Sequence, residues 1–130
     1  MEAPCPFCNL PKERVWLDSK HSLAILDGFP VTDGHTLVIP RRHVLSIFDL
    51  PQEHLNDLAA VVSKVRKILK ARYRADAFNV GVNDGAAAGQ TVAHAHIHVI
   101  PRRAGDVPDP RGGIRWVMPG KARYWQVEKG

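Results

Sequence analysis

Cysteine is scarce in this 130-residue chain, which has only Cys5 and Cys8, with two residues between them. Sulfurs so close in sequence cannot frame a fold by disulfide. Three readings stay open for them: a metal pair, a redox dithiol, or two plain thiols in a reducing compartment. No apolar run approaches the roughly 20 residues that a membrane span needs, so no membrane partner is expected. The opening Met-Glu-Ala-Pro-Cys-Pro-Phe-Cys lacks both the basic region and the apolar core of a secretion signal, and the expected compartment is the cytoplasm. Repeats are missing, and so is any linker that would divide the chain. It reads as one domain, 1–130, with a motif-bearing core at 1–103 and an irregular C-terminal arm at 104–130. Acidic residues are outnumbered, 13 against 18 Lys plus Arg, for a net charge of +5 with neutral histidines. That excess attracts anions. Without an aromatic-and-basic sheet motif or a helix-turn-helix pattern, nucleic acid is not the expected partner.

What is present is an ordinary globular composition, 45% apolar and 24% charged, with seven histidines. A chain of this length hides about two-thirds of its unfolded surface, enough for a core without staples. Trp16-Leu17 and Leu23 to Leu26 read as short strands joined by a turn at Asp18-Ser19-Lys20-His21. Gly34 ends a turn before His35-Thr36-Leu37-Val38-Ile39, a third strand. Leu55, Leu58, Ala59, Val62, Val65 and Leu69 follow helical spacing from Pro51 to about Arg72. Ala77 to Asn83 alternates as a fourth strand, and His94 to Pro101 as a fifth. These elements predict an α+β domain on an antiparallel sheet. Much of the positive charge lies in two clusters. Lys64, Arg66, Lys67, Lys70, Arg72 and Arg74 close the helix, where cations suit the negative end of its dipole; a binding patch is the other reading. Arg102, Arg103, Arg111, Arg115, Lys121 and Arg123 lie in and before the arm. The arm also carries Trp116, Val117, Tyr124 and Trp125, which call for a surface to pack on, in this chain or a second subunit.

His94, His96 and His98 are expected on one face of the fifth strand, about 6.5–7 Å apart. Such a row can be polar residues facing solvent, a metal site, or nucleophilic imidazoles. The metal reading is weakened because side chains on one flat strand splay apart, although two of them with outside ligands would converge more easily. The preceding Asn83-Asp84-Gly85-Ala86-Ala87-Ala88-Gly89-Gln90-Thr91 favours the third reading. Its small residues let backbone N–H groups approach an anion, and Gln90 and Thr91 add donors. An imidazole can attack phosphorus while such donors stabilise the charge growing on the phosphoryl oxygens.

His94-Ala95-His96-Ile97-His98-Val99-Ile100 resembles the signature of the histidine triad (HIT) family. The likeness extends through Asp27-Gly28-Phe29-Pro30-Val31, Gly34 to Pro40 and Asn83-Asp84-Gly85, and so covers most of residues 5–103. Gly89 to Arg102 is similar to the diadenosine-polyphosphate-hydrolysing, fragile-histidine-triad side of the family. The tail Gly112 to Pro119 resembles a bacterial subgroup and lacks the Trp-Pro-Pro ending of the phosphoramidase branch. The resemblance implies a sheet of about five strands with one long and one short helix, pairing into a homodimer. It also implies cleavage at the α-phosphate of a dinucleoside polyphosphate through a covalent nucleotidyl-histidine.

By the same resemblance His96 is the nucleophile, His98 contacts the phosphate and leaving-group oxygens, His94 orients the site, and His35 lies behind it. Asn83, Gly89, Gln90, Thr91 and Val92 fall on the phosphate side, and Asp27 holds the ribose hydroxyls. An attacking imidazole must be neutral, so activity is expected to fall as pH drops below the ordinary imidazole value of about 6.5. Two cysteines alone do not make a zinc site. Zinc-bearing relatives pair a Cys-x-x-Cys with histidines at the positions of His43 and His94, so the expected ligands of a structural zinc are Cys5, Cys8, His43 and His94. His21 and His54 are left as surface residues. Alternative functions are a nucleoside phosphoramidase or nucleotidyltransferase, a non-catalytic nucleotide-binding regulator, and a metal-dependent hydrolase.

Overall fold

A computed structural model describes residues 4–126. The tip of the expected arm, 127–130, lies outside the described residues. Five strands form one antiparallel sheet: β1 (Val15–Asp18), β2 (Ser22–Leu26), β3 (Thr36–Pro40), β4 (Ala77–Gly81) and β5 (Ile97–Arg102). Their order is β1-β2-β3-β5-β4, which puts the strand carrying His98 between β3 and β4. The long helix α1 (Gln52–Arg72) crosses one face, and a short α2 (Pro119–Ala122) lies in the arm.

The sequence pattern explains both faces. Ala24, Val38, Ile97 and Val99 meet Leu58, Val61, Val65 and Leu69 of α1 in the main core. The helix turns Val61 inward, where Ala59 was expected, because the buried stripe runs 58, 61, 65, 69. On the other face Leu23, Ile25, Leu37 and Ile39 are covered by Phe7, Leu10 and Val15. The N-terminal segment with both cysteines is thereby drawn across the sheet toward the end of β3. Hiding an apolar side chain is worth about 1.5–3 kcal/mol, so this cover is tethered by its hydrophobic residues as well as by its sulfurs.

Two connections shape the site. Gly34 turns the chain into β3 at a positive φ of 89°, and a Cβ there would lie 2.7 Å from the Tyr73 ring. The β1–β2 turn is latched to the helix: the Ser19 hydroxyl and the His21 N–H both donate to Asp57. That latch brings His21 face to face with His54, ring centroids 3.8 Å apart. Both rings are half-buried rather than exposed as expected. At the helix end Arg66 lies over Phe78 and Arg72 over Trp16, so these two cations cover the core's edge.

The arm folds as a 3₁₀ turn at Gly113–Val117, then α2, then a 3₁₀ turn at Tyr124–Gln126. It packs on β4 of its own chain, Ile114 beside Gly81 and Gly113 beside Asn79. Its basic residues sit on its aromatics: Arg111 over Trp125, Arg115 over Tyr124 and Arg123 over Trp116. Each such cation–π pair contributes about 0.5–2 kcal/mol.

Candidate active site and metal centre

The three triad histidines do not share one strand. β5 begins at Ile97, and His94 and His96 precede it in an unladdered run that bends at 92–94. The ladder stops for a physical reason. On one side the partner strand ends at Pro40, which has no N–H to donate. On the other, Gly81 pairs with His98 and the chain then leaves the sheet. The Ala95 N–H instead donates to the Val44 carbonyl at 2.8 Å. The backbone is thus free to send neighbouring histidines to different places, and each has its tautomer set by its own partners.

His94 is fully buried, and its Nε2 donates to the Pro40 carbonyl at 2.8 Å. The lone pair is therefore on Nδ1, which lies 3.3 Å from Cys5 Sγ, 3.6 Å from Cys8 Sγ and 3.1 Å from His43 Nδ1. Cys8 Sγ is 3.3 Å from His43 Nδ1. All four expected ligand atoms lie within 4.8 Å of one another. Tetrahedral zinc at its usual bond lengths places sulfur and nitrogen ligands about 3.5 Å apart and nitrogen pairs about 3.3 Å apart. The donor set and its spacing fit a four-coordinate metal.

His96, 9% exposed, donates from Nδ1 to the His94 carbonyl at 2.9 Å. That bond fixes the proton on Nδ1 and leaves the Nε2 lone pair for chemistry. Phe7 packs edge-on against the ring, centroids 5.1 Å apart. His98 is set by a relay. The Val31 N–H donates to His35 Nδ1 at 3.2 Å, so His35 carries its proton on Nε2 and donates to His98 Nδ1 at 2.9 Å. The proton of His98 is then on Nε2, as a donor should be. Burial disfavours the imidazolium at His35 and His98 and lowers both pKa values, Asp27 opposing the shift in each. The Asp27 carboxylate lies 3.5 Å from His35 Nε2, while its other oxygen accepts from the Phe29 N–H. Asp27, His35 and His98 therefore also group closely, but a shared proton between the two rings makes the group a relay.

The small-residue loop closes on itself through Gln90. Its Oε1 accepts from the Gly85 N–H, and its Nε2 donates to the Leu45 and Val92 carbonyls at 2.9 and 3.0 Å. The Gln90 amide thus holds the loop. Gly89 has φ 99° beside the turn Ala86–Ala88, and Thr91 is exposed at the loop's end, with Asn83 and Val92 half-buried. Among the participants that side-chain chemistry could not suggest are main-chain groups, the Val31 N–H and the carbonyls of Pro40, Leu45 and His94. Only the Gly-Phe-Pro turn before Val31 hinted at them.

Residues 10–105 match the profile described as the HIT domain. The chain belongs to the HIT family. An uncharacterised HIT-like protein of Mycobacterium tuberculosis is 44% identical over 108 residues, 79% of this chain and 74% of that protein. The asymmetrical bis(5'-nucleosyl)-tetraphosphatase of Schizosaccharomyces pombe is 42% identical over 93 residues, 72% of this chain but 51% of that one. The crystal structure of a zinc-bound histidine triad family protein from Mycobacterium smegmatis superposes with a TM-score of 0.70 at 38% identity. It covers 95% of this chain and 97% of that one. The HIT family likeness thus reaches past the triad into the arm.

Proposed function

We propose that this HIT-family enzyme hydrolyses dinucleoside polyphosphates, diadenosine tetraphosphate among them, through a nucleotidyl group carried on His96. The observation that carries this reading is the opposite tautomers of His96 and His98. His96 offers a lone pair at Nε2, His98 offers a proton at Nε2, and each is fixed by a partner on its other nitrogen. The 42% identity to a bis(5'-nucleosyl)-tetraphosphatase supports the substrate class.

In the first step His96 Nε2 attacks the α-phosphorus, a P–N bond forms, and the bond to the bridging oxygen breaks. The departing oxygen takes up charge that the His98 N–H stabilises, while the His94 carbonyl accepts from the imidazolium that His96 becomes. In the second step water attacks the same phosphorus, the P–N bond breaks, and mononucleotide is released. Asp27 can hold ribose hydroxyls, and Asn83, Gly89, Thr91 and Val92 line the phosphate side on the loop that Gln90 closes. Cys5, Cys8, His43 and His94 would hold zinc in a closed four-ligand site, which anchors the N-terminal segment and leaves no open position for substrate. Pairing of two copies into a homodimer, as the family resemblance implies, and a cytoplasmic setting belong to the same reading.

The test is a panel of adenosine and guanosine phosphoanhydrides and phosphoramidates against wild type and His96→Ala. Wild type is expected to favour the dinucleoside polyphosphates and His96→Ala to leave nucleotide binding measurable without turnover. A His96→Ala protein working at the wild-type rate contradicts the mechanism, and preference for the phosphoramidates moves the enzyme to that branch. Activity that vanishes on brief EDTA treatment of still-folded protein contradicts the metal-independent route.

A further inference from the structure

A cavity of about 880 Å³ lies beside the triad, between the arm and the helix-free face of the sheet. Asn79, Ile100 and Arg102 line it from the strands, Val31 from the β2–β3 loop, and Ile114 and Trp116 from the arm. It adjoins the end of the histidine relay. The Val31 N–H is the group that orients His35, and Ile100 sits on the face of β5 that bears His98, two residues or about 6.5–7 Å farther along.

The arginines at its wall are already engaged. Arg102 donates to both oxygens of Asp106, at 2.7 and 2.8 Å, and to Asn79 Oδ1 at 2.7 Å. Asp109 accepts from Arg111, and Arg103 donates twice to the Tyr73 carbonyl. Among the described residues, the lining has no free cation to clamp a phosphate. It does have an aromatic wall. Trp116 is held at its edge by a hydrogen bond to the Arg111 carbonyl and on its ring by Arg123, yet stays 40% exposed. Together with Val31, Ile100 and Ile114 it makes an apolar slot that suits an uncharged planar group, with the Asp33 carboxylate at the rim as an acceptor.

We infer that this cavity receives the second nucleoside of a dinucleoside polyphosphate, the half that departs when His96 attacks, its base stacked on Trp116. The inference rests on the proposed function, because it needs a substrate that spans from His96 past His98. It makes the arm, outside the triad motif, a determinant of substrate choice.

The experiment measures equilibrium binding to His96→Asn protein, which holds substrate without turnover. The probes are AMP, adenosine 5'-tetraphosphate and diadenosine tetraphosphate; the last two differ by the second nucleoside. Diadenosine tetraphosphate is expected to bind about tenfold more tightly than adenosine tetraphosphate, the size of one base–aromatic stack. Adding Trp116→Ala is expected to erase that advantage and leave AMP affinity unchanged. Ile114→Glu, at a position 58% exposed and therefore tolerant in folding, is expected to erase it too. Equal affinity for the two tetraphosphates, or an advantage that survives both variants, overturns the inference while AMP binding keeps the nucleotide reading intact. No binding of any probe overturns the nucleotide reading itself. Loss of a dimer in Trp116→Ala with unchanged nucleotide affinities assigns the cavity to a second copy of the chain and also overturns it.

Discussion

At the scale of single residues, the site works by proton placement more than by histidine count. Val31, His35 and His98 form a line in which one backbone N–H decides where two side-chain protons sit. His35→Ala is expected to lower kcat by about 10–100-fold by releasing the His98 tautomer, and His35→Gln, whose amide can still donate, to restore part of it. Steady-state kinetics of the three proteins checks this; equal losses in both variants would mean that His35 only fills space. Burial also sets a pH dependence of stability. The folded state holds His35 and His98 neutral below the ordinary imidazole range, whereas the unfolded chain binds protons at about 6.5. Their contribution is therefore complete above about pH 6.5 and is lost as pH falls below it. Thermal melts at pH 8 and pH 5.5 should show a lower Tm in acid, and His35→Gln should reduce that difference. An unchanged difference would place the acid sensitivity elsewhere.

At the scale of elements, the strands and the long helix were legible because their periodicities are plain, and their ends agree with the structure to within about two residues, except that the fifth strand starts at Ile97 and not at His94. The triad was not legible as geometry. Alternating histidines read as one strand face, but Pro40 on one side and the departure of the chain after Gly81 on the other leave His94 and His96 without a ladder. A period-2 pattern reports which way side chains alternate, and says nothing about whether a neighbouring strand is there to pair. Glycine placement is a second case. Gly34 and Gly89 both sit at positive φ, but only Gly34 faces a ring, at 2.7 Å from a would-be Cβ. Gly34→Ala is expected to cost about 2–4 kcal/mol, combining backbone strain with the clash against Tyr73, and Gly89→Ala only about 1–2 kcal/mol. Urea melts of the two variants test the difference, and equal losses would remove the clash from the account.

At the scale of the whole molecule, the ligand set Cys5, Cys8, His43 and His94 joins the N-terminal segment, the loop after β3 and the start of the triad. The family resemblance implied these four, since the Cys-x-x-Cys spacing alone named only two donors. It could not show that the Pro40 carbonyl holds His94 with its Nδ1 lone pair toward the sulfurs. Protein purified without chelator is expected to contain about one zinc per chain by elemental analysis. Its removal is expected to lower Tm by more than about 5 °C, because a ligand bound only in the folded state adds its binding energy to stability. A metal-free protein with the same Tm would reduce the cluster to four neighbouring side chains. The arm was the least legible part. Its aromatics called for a surface, but neither composition nor spacing told that the surface is β4 of the same chain.

The covalent route is the claim on which the rest depends, and it leaves a mass. Wild-type protein quenched in acid-free denaturant within the first turnovers on diadenosine tetraphosphate is predicted to carry an adduct of roughly 329 Da, one adenylyl group, mapped by peptide fragmentation to His96. The adduct should be absent from His96→Asn. Rapid hydrolysis with no adduct at any time point, or an adduct mapped to a residue other than His96, would contradict the account.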